Sequence, residues 1–411
     1  MKTLVRNIAQ LGGIQSHNKA LRGEAMADFP VLPQAWLVLE NGCIHAWGQE
    51  TDPKGLPQAD MVLDAKGATV LPAWCDSHTH LVFAGSRENE MVDKIKGLDY
   101  AAIAAKGGGI LSTAKAIAQT SENDLYAQAM ARIERLVQMG TGAFEIKSGY
   151  GLDLENELKM LRVIRRLKES LPIPIRSSFL GAHSYPLAFR QNHEGYLQLI
   201  EKEMLPAIVA EGLADYVDVF CETGFFSLAE TKRICVAAQE KGLGVKLHAN
   251  QLSAMGAVEL GVALGAISVD HLETMDAASI NALANADTIG TLLPGAAFFL
   301  RQSQPPAREL LQAGAALALA SDFNPGSCPT GNMNLVLALA CIQAKLLPAE
   351  ALNAATLNGA FAMGLQKEVG SIAVGKKANL IFTSPIPSLD YLAYAFGDCW
   401  VNKVMVNGQF I

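Results

Sequence analysis

The sequence predicts an α/β fold: a (β/α)8 TIM barrel joined to a small β-sandwich domain that the two chain termini build together. Three observations lead there. Apolar strand-like runs alternate with helical stretches through the middle of the chain. Both ends are β-rich around an Asn-Gly pair, and histidines and acids recur where the central strands stop.

At the ends, AWLVLENGCIHAWGQ (residues 35–49) and VNKVMVNGQFI (residues 401–411) each set apolar residues around Asn-Gly, the strongest short hairpin signal. GSIAVGKKANLIFTS (370–384) adds strand character just before the second hairpin. The two ends are expected to pair, residues 1–67 and 367–411 each supplying part of the sandwich, with the barrel over residues 68–366.

Within the barrel, the first four strands are TVLPAWCDSH (69–78), GAFEIKSGY (142–150), PIRSSFLGAH (174–183) and YVDVFCE (216–222). GVKLHAN (244–250), ISVDHLE (267–273), TIGTLLPG (288–295) and ALALASDFN (316–324) complete the set. Helical periodicity marks 153–170, 227–242, 254–265, 276–286 and 332–346. Strand–helix alternation implies a parallel sheet, and eight repeats favour a closed barrel over an open one.

A chain of 411 residues is long for one ordinary domain but suits an α/β barrel. With 50% hydrophobic and only 18% charged residues, it can bury a large core. A net charge of −7 provides no basic footprint, so nucleic acid is not an expected partner. Seven cysteines without a Cys-X-X-Cys pair point to reduced thiols rather than a disulfide framework. MKTLVRNIAQLGGIQ lacks a secretory apolar core, and runs such as NLVLALACIQAKLL are too interrupted to span a bilayer. The expectation is a cytoplasmic protein with a small-molecule substrate and no membrane partner.

His78, His80, Tyr150, His183, Glu222, His248, His271 and Asp322 each fall at or just past the end of a predicted strand. That rim is where such barrels gather catalytic groups, and satisfied core histidines would have no reason to choose one end. Alternation along LPAWCDSHTH (71–80) sends His78 and His80 to the same side. An isolated His-X-His can be a turn that happens to hold two histidines; the rim pattern makes this one part of a metal site. His78, His80, His248 and Asp322 offer three imidazoles and a carboxylate, suited to zinc or iron with a position left for water. A bound cation brings the pKa of that water from about 15.7 towards roughly 7 to 9. Asp322 and His271 are the candidates to take its proton; the competing readings are a turn aspartate in DFNPGS and a histidine bonded to Glu273.

HTHLVFAGSRENE, YAAIAAKGGGI, EIKSGYGL, FLGAHSYP, KLHANQ, VDHLE and SDFNPGS, in this order and spacing, resemble the imidazolonepropionase family of the amidohydrolase superfamily. The resemblance covers essentially the whole chain. His-X-His alone marks only the superfamily; the Arg87 element together with KSGYGL is far more specific. The resemblance implies hydrolysis of the cyclic amide C–N bond of 4-imidazolone-5-propanoate to N-formimidoyl-L-glutamate in L-histidine degradation. It implies attack by hydroxide activated at one Zn2+ or Fe3+ per subunit; homodimers are common for the architecture.

By the same resemblance, Arg87 clamps the propanoate, and Tyr150 and His183 contact the substrate, His183 at the ring carbonyl and its oxyanion. Asn324, Gly326 and Ser327 would offer an amide, an N–H and a hydroxyl to the carboxylates and formimidoyl group. Tyr100 would reach the substrate from the connection after the first strand. KGGGI (106–110) lies there too, as a cover for the site; it lacks the Gly-Lys-Ser/Thr ending of a phosphate loop. Some family members carry a glutamate three residues after the fifth-strand histidine. Gln251 stands there in this chain and cannot take a proton at neutral pH, so it is expected to orient the substrate. Base duty then falls to Asp322 with help from His271. YVDVFCE lacks the strand-four lysine that bridges two metals elsewhere in the superfamily, so one metal is expected, and Lys147 is expected to be a structural ion-pair partner. An amino-purine deaminase or another cyclic-amide hydrolase would share the metal ligands but need no Arg87 clamp.

Overall fold

The computed structural model describes residues 1–17, 19–52, 55–98 and 108–411. Eight parallel strands follow one another in sequence order: β1 (Trp74–Thr79), β2 (Thr141–Lys147), β3 (Ile175–Ala182), β4 (Tyr216–Cys221), β5 (Gly244–Ala249), β6 (Ser268–His271), β7 (Ile289–Leu292) and β8 (Leu317–Leu319). The sheet closes on itself at its C-terminal rim. The Asp322 N–H donates to the His78 carbonyl at 3.0 Å and the His80 N–H to the Phe323 carbonyl at 2.9 Å. The residues expected to hold a metal therefore also join the last strand to the first.

Helices cover the barrel. Leu154–Ser170 starts where the Asp153 side chain accepts from the Asn156 N–H, a cap that satisfies a free amide of the first turn. Leu158, Leu161, Ile164 and Leu167 recur every three residues along it and are buried, as an amphipathic helix on a sheet requires. Leu228–Gln239 opens with a capping box between Ser227 and Glu230.

The two chain ends meet in one mixed sheet. Lys2–Gly12, Val31–Glu40 and Cys43–Gln49 run antiparallel, and Met61–Asp64 and Thr69–Pro72 lie parallel to the first of them. Leu380–Thr383 pairs with Thr69–Pro72 and continues to Val401–Val406 and Gln409–Phe410. Val5, Ile8, Leu37, Leu380 and Met405 share its core. Both Asn-Gly turns form as expected, with Asn41, Gly42, Asn407 and Gly408 all at positive φ, the geometry of a two-residue hairpin turn. They also pack against each other: a Cβ on Gly42 would meet the Asn407 carbonyl at 2.6 Å.

The run expected as one first barrel strand is split. Thr69–Pro72 belongs to the terminal sheet, and β1 begins at Trp74. Pro72 has no N–H to offer a continuing ladder, and the Ala73 N–H is taken by the Asn379 carbonyl. All seven cysteines are free. No described helix is long and apolar enough to cross a membrane.

Candidate active site

Alternation along β1 brings His78 and His80 to the barrel axis, their rings 5.4 Å apart. His248, on β5, comes within 4.5 Å of His78, ring to ring. Asp322 Oδ1 lies 3.6 Å from His78 Nε2 and 3.4 Å from His80 Nε2. Donor atoms of His78, His80 and Asp322 all lie within 4.8 Å of one another, and so do those of His78, His248 and His271. His78 is common to both groups.

The hydrogen bonds decide which nitrogen is free. His78 Nδ1 faces Asp270 Oδ2 at 2.7 Å, and His248 Nδ1 faces Asp218 Oδ1 at 3.1 Å. A carboxylate only accepts, so each Nδ1 carries the proton and each Nε2 presents a lone pair. Both Nε2 atoms are buried without a partner, a costly state for polar atoms unless something binds there. Two orphaned imidazole nitrogens beside a carboxylate fit a metal ion. Burial, then the Lys147 ammonium, holds His78 well below the ordinary histidine pKa. Burial pushes Asp322 up, but the His80 hydrogen bond and the surrounding imidazoles outweigh it, and its pKa is lowered. His271 goes the other way: burial pushes it down, while the Glu273 carboxylate, 3.4 Å from Nδ1, raises it.

Above these groups opens a cavity of about 160 Å³ lined by His80, Tyr150, His183, His248, His271 and Asp322, and by Arg87, Gln251, Asn324, Gly326 and Ser327. Every site residue expected from the sequence and described here reaches it except His78, which lies beneath. Tyr100 falls outside the described residues. Asn250, His271 and Asp322 all have left-handed backbones, at φ 55°, 92° and 52°, strain of the sort that collects at functional sites.

Several side chains are placed otherwise than expected. His183 Nδ1 donates to the Gly149 carbonyl at 3.0 Å. Burial, then His80 and His248, keeps the ring neutral, so its Nε2 offers a lone pair to the cavity. Expected as an oxyanion donor, His183 is built here as an acceptor. Asn324 Oδ1 accepts from the Gly326 and Ser327 N–H groups, and its amide donates to Ser327 Oγ and the Asp322 carbonyl. The polar groups expected to hold substrate are thus largely bonded to one another, because Asn-Pro-Gly-Ser closes its own turn. Glu222 accepts from the Leu252 and Ser253 N–H groups and fixes the loop carrying Gln251. Arg87 Nη2 donates to Glu90 Oε2 at 2.7 Å, while its Nε is buried without a partner. A Cβ on Gly326 would lie 2.1 Å from Arg87 Nη1. The loop glycine makes room for the guanidinium.

Sequence reasoning missed Asp218 and Asp270, which hold two of the imidazoles, and Lys94, Phe220 and Phe225 in the cavity wall. A signal was there. Asp76-X-His78-X-His80, Glu145-X-Lys147, Lys246-X-His248 and Ser268-X-Asp270 all carry polar residues two positions apart on one face of a strand, and Asp218 stands alone in that pattern.

Residues 69–411 match the family model described as the amidohydrolase family. An imidazolonepropionase of Flavobacterium johnsoniae is 50% identical over 414 residues, covering 100% of both chains. One from Alkaliphilus metalliredigens is 38% identical over 99% of this chain and 97% of its own. The chain belongs to the amidohydrolase family, among the imidazolonepropionases. Among solved structures, the E. coli guanine deaminase aligns with a TM-score of 0.72 at 13% identity, over 100% of this chain and 99% of its own. A Xanthomonas campestris adenosine deaminase with bound zinc aligns at 0.70 and 19%, over 99% and 92%. These two share the fold; the imidazolonepropionases share the sequence as well.

Proposed function

We propose that this chain is an imidazolonepropionase: it hydrolyses 4-imidazolone-5-propanoate to N-formimidoyl-L-glutamate in L-histidine degradation. The observation that carries the reading is the free Nε edge of Arg87, buried across one cavity from the imidazole–carboxylate cluster. An acid-bearing cyclic amide needs both ends of that cavity; a neutral purine needs one.

His78, His80, His248 and Asp322 would hold one Zn2+ or Fe3+. When bound, that ion supplies Lewis acidity, polarising a carbonyl and making water acidic near neutral pH. Everything else falls to the chain. Arg87 takes the propanoate with a fork that matches a carboxylate. Tyr150, whose pKa burial raises, stays a phenol and donates. His183 accepts from a ring N–H, and the Gln251 amide orients the ring. As water adds to the ring carbonyl carbon, Asp322 or His271 receives its proton. The same proton is returned to the ring nitrogen as the C–N bond breaks, so one water is consumed and a carboxylate and a formimidoyl nitrogen are formed.

The test is incubation of the purified chain with imidazolone propanoate while the ring chromophore is followed. Loss of absorbance that a chelator stops and added zinc or iron restores is expected; turnover untouched by prolonged chelation would overturn the reading. A second result follows from the loop. In Gly326→Ala the new methyl displaces the flexible Arg87 head, so KM should rise roughly 10- to 100-fold, the loss of one charge-assisted hydrogen bond. The metal-to-subunit ratio should stay as in the wild type, and steady-state kinetics with elemental analysis checks both.

A further inference from the structure

Beneath the imidazoles lies a buried floor of charge whose meaning rests on the metal-site reading above. Lys147 on β2 is fully buried. Its ammonium donates to Glu145 Oε1 at 2.9 Å and Asp218 Oδ2 at 2.7 Å, and stands 3.7 Å from Asp270 Oδ2. The other oxygen of Asp218 accepts from the His248 backbone N–H and faces its Nδ1, both at 3.1 Å. Asp270 Oδ2 faces His78 Nδ1 at 2.7 Å. One ammonium thus reaches three carboxylates, and two of them, Asp218 and Asp270, each fix an imidazole on a different strand.

We propose that Lys147 is a positioning residue for the metal centre, holding Asp218 and Asp270 so that His248 Nε2 and His78 Nε2 are turned to one point before any ion arrives. A buried ion pair is by itself weak support for a fold, since desolvation offsets most of its Coulomb energy; apolar side chains would fill this floor at less cost. What apolar side chains could not do is orient two acceptors at once. The two carboxylates are also unequally served. Asp270 has a second cation nearby, Lys246 at 3.8 Å, and accepts from Ser268 Oγ at 2.6 Å. Among the described residues Lys147 is the only side-chain cation on Asp218. His248 should therefore loosen first when Lys147 is removed.

Lys147→Met and the charge-balanced Lys147→Met/Glu145→Gln test this on the full chain. Thermal unfolding without metal, zinc affinity by competition with a chromophoric chelator, and the visible spectrum of the cobalt(II)-loaded protein are measured for each. The balanced variant should fold and bind zinc about 10- to 100-fold more weakly, the usual effect of losing an outer-shell partner. Its cobalt spectrum should shift because the His248 ring is no longer held. Wild-type zinc affinity together with an unchanged cobalt spectrum in that variant would overturn the proposal. So would failure of both variants to fold with zinc present, which would assign Lys147 to the barrel alone. A wild-type chain that takes up no zinc would overturn the metal-site reading and this proposal together.

Discussion

His78→Ala is expected to yield a folded chain without metal and without turnover. His78 belongs to both groups of converging donors found among the described residues, so neither survives its loss intact. Its removal also strips Asp270 of the N–H at 2.7 Å, leaving a buried carboxylate with the Ser268 hydroxyl and two ammoniums, Lys147 at 3.7 Å and Lys246 at 3.8 Å. The Lewis-acid contribution of a catalytic ion is several kcal/mol, so the rate should fall on the order of 10^3-fold or more. The metal-to-subunit ratio and the disappearance of the ring chromophore are measured on the same preparation, with circular dichroism as the check on folding. A metal-free His78→Ala protein that still opened the ring would sink the scheme outright.

The rim was legible because its residues are chemically distinctive and sit where strands stop. His78, His80, His248 and Asp322 were recognisable for that reason, and the structure gathers them at one cavity floor. Asp218 and Asp270 were harder. Each lies inside an apolar run, YVDVFCE and ISVDHLE, where one acid reads as an interruption. Only the pairing of β4 with β5 sets Asp218 beside His248, and only closure of the barrel brings Asp270 on β6 across to His78 on β1. Strand register is a long-range property that no local window encodes. Thr69–Pro72 shows the same limit, since its partners lie near both termini.

Identity and role also separated. Asn324, Gly326 and Ser327 reach the cavity, but a turn spends its own polar groups, which a list of residue types does not reveal. His183 is a similar case. Its position was readable from FLGAHSYP, yet whether it donates or accepts depends on the Gly149 carbonyl, 34 residues away along the chain. Arg87 is the converse: ambiguous among the charges of SRENE, it is given meaning by a glycine on a loop more than two hundred residues later.

Arg87→Ala is expected to cost about 10^3-fold in kcat/KM, and Arg87→Lys to raise KM roughly 10- to 100-fold with kcat and metal content nearly kept. The difference follows from Glu90. In the native chain one guanidinium nitrogen is bonded to that carboxylate, and Nε remains for a second; a fork can serve two acids. A lysine ammonium is a single point charge, and Glu90 lies close enough to hold it. Alanine is worse, because Glu90 then keeps, among the described residues, only the Gly109 N–H at 2.8 Å and the attraction of Lys94, and its negative charge repels the incoming propanoate. The pair is only part-buried, so the cost is that of the charge-assisted hydrogen bond lost to the substrate, about 1.5 to 3 kcal/mol, plus the added repulsion. The Glu90→Gln/Arg87→Ala double variant should recover part of the loss, since the repulsion goes while the clamp stays absent. Steady-state kinetics of the three variants reads this directly. Activity indifferent to Arg87 would mean that the cavity accepts a ring without an acid arm, and the chemistry would then belong to a different cyclic substrate on the same barrel.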